Sequence, residues 1–322
     1  MLKKSKGLLN FFIMLLFFFC LILFLYILYD FYQEIPREPI NIEVNVPKSY
    51  ENSTKNGIQF QPNMKFNHKN ITYYIDPNCD ENKKKRMKDA FRILSSESGV
   101  IRFDEVFSDY ADIEVSCSNN YESDGEKDFF IAGEGGAKEI IKSGNYHVIT
   151  KGVILLFDYP YRLAKCEYPN VELHELSHVL GFDHSNKKDS LMNPLLNSCS
   201  QRLDYEIIKE IRRLYSEEDL PDITFEDIKL VKSGRYLNMN LTIKNKGVID
   251  VDSFNLSILD DENRVLEEKE IKNLKFGGGI ILNIEFLRLK NPNTKKIMFF
   301  LDKENKIKEL QKNNNFLEVR LI

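Results

Sequence analysis

The chain has 322 residues, a net charge of −4, 43% hydrophobic and 29% charged residues. That balance is close to folded soluble protein and excludes a wholly disordered chain, a collagen-like chain and a multi-span membrane protein. There is no basic excess, so nucleic acid is not an expected partner, and the length favours two domains.

Residues 8–29 are almost entirely Leu, Phe, Ile and Tyr, with Asn10 the strongly polar exception. A helix of that length spans ~30 Å of hydrocarbon. The competing reading is a cleaved signal peptide. The run is longer than a usual signal core, and Asp30-Phe31-Tyr32 offers no small-residue cleavage site. Lys3, Lys4 and Lys6 precede the run, while Asp30, Glu34 and Glu38 follow it. The positive-inside rule therefore predicts a single-pass protein of the cell membrane: a cytoplasmic segment 1–7, a transmembrane signal-anchor 8–29, and the rest outside. Residues 30–66 carry Pro36, Pro39, Pro47 and Pro62 with little periodicity and read as a linker.

Residues 71–75 are strand-like. Residues 81–97 show helical spacing through Met87, Ala90, Phe91 and Leu94. Residues 111–117 form another predicted strand, and Gly133, Gly135 and Gly136 mark a loop poorly built for phosphate. Residues 153–157 are a continuous apolar run, a strand buried on both faces. Helices are predicted over 171–180 and 205–215, the second with Asp204 as N-cap. Strands alternating with helices argue for an α/β domain over about residues 68–218. Beyond Pro221 the period becomes two: Leu237, Met239, Leu241 and Ile243 alternate with polar residues. Similar runs at 254–259, 279–286 and 296–301 predict a β-sandwich over 221–322.

Cys20 lies in the apolar run, which leaves Cys79, Cys117, Cys166 and Cys199, an even number suited to an oxidising exterior. No Cys-x-x-Cys pair exists, which argues against a cysteine zinc site. Three pairings are open. If the strands at 71–75 and 113–115 are parallel neighbours, Cys79 and Cys117 meet at one sheet edge, leaving Cys166 with Cys199.

The chemistry lies in His174-Glu175-Leu176-Ser177-His178-Val179-Leu180-Gly181-Phe182-Asp183-His184. Histidines at i and i+4 are about 400° apart around a helix, so they share a face and reach one ion. Glu175 sits beside the pair, placed to take a proton from water rather than to ligate. Gly181 can end the helix in the left-handed conformation and return His184 as a third ligand. Three imidazoles and an open position describe a catalytic zinc site. From the composition, a chance match is on the order of 10⁻⁵ or less.

This run resembles the zinc signature of the metzincin metalloproteases. Ser185 follows the third histidine as in the matrixin branch. Met192, within Ser190-Leu191-Met192-Asn193-Pro194, resembles the Met-turn. Residues 152–158 resemble the strand before the active-site helix, and 203–215 resemble the helix that closes the domain. The resemblance implies an α+β catalytic domain over 67–220, with a twisted five-stranded mixed sheet, an active-site helix, and a cleft between the edge strand and the Met-turn loop. It implies one catalytic Zn2+ on His174, His178 and His184, Glu175 as general base, and a protein or peptide substrate. Pro194 leaves no counterpart to the tyrosine ligand of astacins. Residues 30–78 hold no cysteine for a cysteine-type latency. Asn193 stands where matrixins often carry tyrosine, so the specificity pocket does not carry over.

His68 reads as a solvated side chain. His147 reads as an ordinary residue, on an edge strand where it could touch substrate. Asp189 reads as a turn residue, so a structural Ca2+ has no support, and no other cofactor site is evident. Residues 223–322 resemble the CARDB (cell-adhesion-related, Ig-like) domain through 241–247 and the closing 302–316 with Ile307, Glu309, Leu310 and Asn313-Asn314-Asn315. That implies a spacer, or a module for a cell-surface ligand. The expected function is a membrane-anchored extracellular zinc endopeptidase. The alternative is a cell-surface adhesion protein with a silent zinc site, against which Glu175 argues, since holding zinc alone needs no general base.

Overall fold

The computed structural model describes residues 2–35, 37–46, 57–108, 110–118, 131–158 and 166–321. It opens with helix α1 (Leu2–Glu34), whose segment Asn10–Tyr32 has a mean hydropathy of 3.1. Its apolar side chains are exposed along that segment, so no protein surface covers them. By length and composition this helix could cross a membrane or serve as a signal sequence.

The first domain is built on a six-stranded sheet. Its strands are β2 (Met64–Phe66), β3 (Asn70–Ile75), β4 (Arg102–Glu105), β5 (Ile113–Cys117), β6 (Gly133–Ser143) and β7 (Tyr146–Leu156). Pairing runs β4-β3-β5-β7-β6, all parallel except the antiparallel β6. That is the mixed five-stranded sheet expected. The sixth strand, β2, pairs with residues 147–149 of β7, while β5 pairs with 152–156. Since β6 covers β7 along its whole length, β2 and β5 share the other edge of β7, end to end.

Two expectations change here. Gly133, Gly135 and Gly136 lie in β6, not in a loop. At Gly133 and Gly135 the missing side chain lets the strand pass over a helix, while a Cβ at Gly136 would meet nothing within 4 Å. His147 lies in β7, which is paired on both edges, so it is not on an edge strand; its Nδ1 contacts the Pro62 carbonyl at 2.8 Å.

Helix α2 (Glu81–Ser98) starts at Asp80, whose carboxylate accepts from the amides of Asn82 and Lys83 at 2.9 Å, and ends at Gly99 with φ +70°. It buries Met87, Ala90, Phe91 and Leu94 against the sheet, with Tyr73 stacked on Phe91 at 3.9 Å. Helix α3 (Asn170–Val179) is buried on every side, and α4 (Tyr205–Ser216) buries one face. A buried ion pair, Arg86 to Glu172 at 3.0 and 3.2 Å, joins α2 to α3. The disulfides are Cys79–Cys117 and Cys166–Cys199, the pairing that parallel β3 and β5 favour.

The second domain is a sandwich of two four-stranded antiparallel sheets. One holds β8 (Ile223–Ser233), β9 (Tyr236–Asn245) and β12 (Gly279–Arg288). The other holds β10 (Val251–Asp260), β11 (Val265–Leu274), β13 (Lys296–Leu301) and β14 (Phe316–Arg320). The first sheet gains β1 (Ile40–Ile42), which pairs with β8 at 230–232. Residues 30–66, read as a linker, thus contribute one strand to each domain. Strands of three residues are too short to show a period. Met64 and Phe66 are nevertheless core residues, and Lys65 between them is buried because its Nζ reaches the Leu214 carbonyl and Asp219.

Candidate metal centre

Helix α3 carries His174 and His178 one turn apart, and all ten of its residues are buried. It lies close on the sheet: a Cβ at Gly152 would come within 2.4 Å of Val179 Cγ1. Gly181 ends the helical stretch at φ +86°, the left-handed conformation expected of it, and the chain turns back to His184. One ligand atom from each of His174, His178 and His184 lies within 4.8 Å of the others.

The imidazole tautomers favour a cation. His174 Nδ1 lies 2.7 Å from the Leu191 carbonyl, and His178 Nδ1 lies 2.8 Å from the Phe182 carbonyl. A carbonyl only accepts, so both Nδ1 atoms carry the proton and both Nε2 atoms present bare lone pairs. Those Nε2 atoms face each other at 3.0 Å, and His178 Nε2 lies 3.2 Å from His184 Nε2. Converging lone pairs with no proton between them repel unless a metal ion sits among them. Burial reinforces the neutral state: it pulls His174 down to about 3 and lowers His178 as well. The three imidazoles fit a zinc ion.

Glu175 is 6% exposed. Burial pushes its carboxyl up to about 8, opposed by the Gly135 amide, which donates to it, and assisted by Glu134 and Glu172. It sits under β6: a Cβ at Gly133 would come 2.7 Å from Glu175 Cγ. The glycines of β6 therefore bring the edge strand onto the helix where the acid stands.

Met192 is fully buried in the loop after His184. Its carbonyl accepts from the Ser185 amide at 2.8 Å, and its amide donates to Ser190 Oγ at 3.0 Å. Ser190 Oγ in turn donates to Asp204, so the α4 N-cap side chain serves this loop rather than the helix amides. Asn193 spans the loop, its Nδ2 reaching the Ser185 and Lys187 carbonyls. Asp189 is a turn residue, as expected. His68 keeps a partly exposed side chain, as expected, and also pairs with Asp112 at 3.0 Å, because Asp112 is held over it by the amide and hydroxyl of Thr72.

Two parts of the site carry no sequence signal. Gln201 is buried in the Met192 loop. Its Nε2 donates to the carbonyls of Lys188, Ser190 and Leu195, and its Oε1 accepts from the amides of Asn197 and Ser198. Residues 58–60, within the presumed linker, clamp the turn to His184. The Phe60 amide donates to Gly181 at 2.9 Å, the Asp183 amide donates to Ile58 at 3.0 Å, and the Phe60 ring lies 5.7 Å from that of His178. Phe60, in a Pro- and Asn-rich stretch, looks like a solvated connection because only the fold brings its partners near; Gln201 looks like one because its partners, within 13 residues, lie on an irregular loop with no period.

Family comparisons divide the chain in two. The matrixin family model matches residues 65–216, and the CARDB family model matches residues 220–319. Similar solved structures include a domain described as part of a cell surface protein from Methanosarcina acetivorans. It is 20% identical, with a TM-score of 0.27, over 32% of this chain and 90% of that one. Another is a CARDB domain from Pyrococcus furiosus in complex with di-metal ions, 21% identical, with a TM-score of 0.26 and the same coverage of 32% and 90%. Among curated proteins no relative matches. The chain thus joins a matrixin domain, of the metallopeptidase class, over residues 65–216 to a CARDB domain over residues 220–319.

Proposed function

We propose that the protein is a membrane-anchored, extracellular zinc endopeptidase. The observation that carries this reading is the bare, facing Nε2 atoms of His174 and His178, with His184 Nε2 converging on them and buried Glu175 beside them. A zinc ion held by the three imidazoles would polarise the scissile carbonyl and make water acidic enough to attack near neutral pH. Glu175 accepts the proton of the attacking water and delivers it to the leaving amine. Burial raises its proton affinity, which suits a group that must hold a proton between two steps. Gly135 and Gly133 fix that carboxylate from above. Helix α1 anchors the chain through residues 8–29, with the catalytic domain outside, and the two disulfides suit that oxidising side. Within 67–220 the substrate lies between β6 and the Met192 loop.

The test is cleavage of an unfolded protein by the purified full chain. Activity should vanish with chelator, return with zinc, and be lost in Glu175→Ala while about one zinc per chain remains. Equal turnover by Glu175→Ala and the parent would refute the mechanism, and a chelator-insensitive activity would refute the metal.

A further inference from the structure

The C-terminal sandwich has two ends, and a different part of the chain is fixed to each. At one end the last turn of α1 is gripped: Arg235 Nη1 and Tyr236 Oη reach the Glu34 carboxylate at 2.7 and 2.5 Å, and Arg288 pairs with it too. Arg288 and Tyr236 hold Glu34 ionised, down to about 2. The Ser233 hydroxyl donates to the Arg37 carbonyl, and β1 then climbs the sandwich beside β8. At the other end the matrixin domain is fixed. Ser143, at the β6–β7 hairpin, donates to the carbonyls of Gly247 and Asn245, and Asn67 donates to Val248 at 3.1 Å. Gly277 lies so near that a Cβ there would come 2.6 Å from Ile141.

Strands β8, β9 and β12 run from one end to the other. Ser233, Tyr236 and Arg288 lie side by side at the α1 end, and Ile223, Asn245 and Gly279 lie at the matrixin end. Ten residues of strand cover roughly 30–35 Å. The domain that comes last in sequence therefore stands between α1 and the domain that precedes it.

We propose that this sandwich is a pedestal seated on the lipid headgroups of the membrane that α1 crosses, holding the metal centre at a set height above the bilayer. The proposal rests on the reading of α1 as a membrane span. The seat is chemically suited to an anionic surface. Arg37, Lys232 and Lys290 lie around the helix exit, where Arg235 and Arg288 meet the charges of Asp30 and Glu34 and so leave the exit with a cationic excess. Phe286, two residues from Arg288, is 69% exposed at the β12 bulge, with φ +54°. A bulky residue at positive φ is strained, and here that strain accompanies a ring turned out to solvent. An exposed ring toward the end of the sandwich that carries these cations matches the interface of a bilayer containing acidic lipid. The pedestal makes peptide bonds tens of ångströms from the bilayer the accessible substrates, and puts bonds next to the lipid out of reach.

The chain contains no tryptophan, so a single one is a clean probe. Phe286→Trp and Phe276→Trp are made in the full chain, the latter next to Gly277 at the matrixin end. Each is placed in phosphatidylglycerol-containing vesicles with brominated acyl chains. Flotation with the vesicles tests the span, and quenching tests the seat. Phe286→Trp should be quenched several-fold more than Phe276→Trp. Glu34→Arg, which sets a cation against Arg235 and Arg288 and breaks their grip on α1, should shrink that difference. Equal quenching in floated protein would overturn the pedestal while leaving the anchor intact; failure to float would overturn the anchor and the pedestal with it. Should a tryptophan variant misfold, amide exchange of the unsubstituted chain decides. Residues 233–236 and 286–290 should exchange several-fold more slowly in vesicles than in detergent, with 275–279 unchanged; equal exchange in both would overturn the proposal.

Discussion

Gly135 lies against the backbone of Glu175: a Cβ on Gly135 would come 2.3 Å from the Glu175 carbonyl oxygen. No flexible side-chain end can yield there, because the atom met is main chain of α3. The edge strand and the helix bearing the acid are thus in register only while position 135 has no side chain. Gly135→Ala should therefore destabilise the fold by ~1–3 kcal/mol, as overpacking does, and lower activity further by displacing Glu175 from β6. Gly136→Ala meets nothing within 4 Å and is the matched control. Thermal unfolding of both variants checks this, and identical melting would show that the strand does not rest on the helix.

His184 lies on an exposed turn beyond the helix, unlike the buried His174 and His178. His184→Ala should cost the metal-free fold no more than about 0.5 kcal/mol, as for a surface substitution, while zinc affinity drops sharply with one of three ligands gone. Equilibrium dialysis against a competing chelator measures the affinity. Unchanged zinc content would place the third ligand elsewhere.

Gln201 holds five main-chain groups of the Met192 loop. Gln201→Ala strands several of them, at a cost of roughly 2–3 kcal/mol. The loss should extend to zinc, because Leu191 in that loop receives the Nδ1 proton of His174 and so fixes its ring. Zinc titration of the variant should show weaker binding with the same stoichiometry. Parent-like affinity would mean that the loop is held by Asn193 and Ser190 alone.

The Cys166–Cys199 bridge closes a segment of 33 residues that contains the ligands, Glu175 and Met192. In the chain-entropy model such a loop closure is worth roughly 3–4 kcal/mol. It also ties the Met192 loop to the approach to α3, where Arg86 holds the Cys166 carbonyl at 2.7 Å. Mild reduction should raise KM before zinc is released, since Cys199 holds the cleft wall while Gln201, through the Ser190 carbonyl, still keeps Leu191 against His174. Parallel steady-state kinetics and zinc counting follow both, and simultaneous loss would show that the bridge supports the metal rather than the cleft.

The sequence by itself determined what depends on local spacing. The i, i+4 histidines lie on one helical face whatever surrounds them, and Gly181 supplies the left-handed turn that no β-branched residue would take. The period-two run of Leu237 to Ile243 marks β9, and the long apolar run marks α1. The pairing of Cys79 with Cys117 follows from parallel, neighbouring β3 and β5. The tertiary structure decided what depends on distant partners. Gly133 and Gly135 look like turn residues until β6 crosses α3. His68 stays partly exposed, but its partner Asp112 is seen only in the fold. Phe60 and Glu34 are ordinary in their own stretches of chain; their meaning lies in carbonyls, rings and guanidinium groups far along the sequence. The partners of Gln201 lie within 13 residues, but across an irregular loop that has no period. Periodicity reports which face of an element is buried, but a hydrogen bond between elements leaves no period, so the supports of the metal centre and the grip on α1 emerge only when the chain is folded.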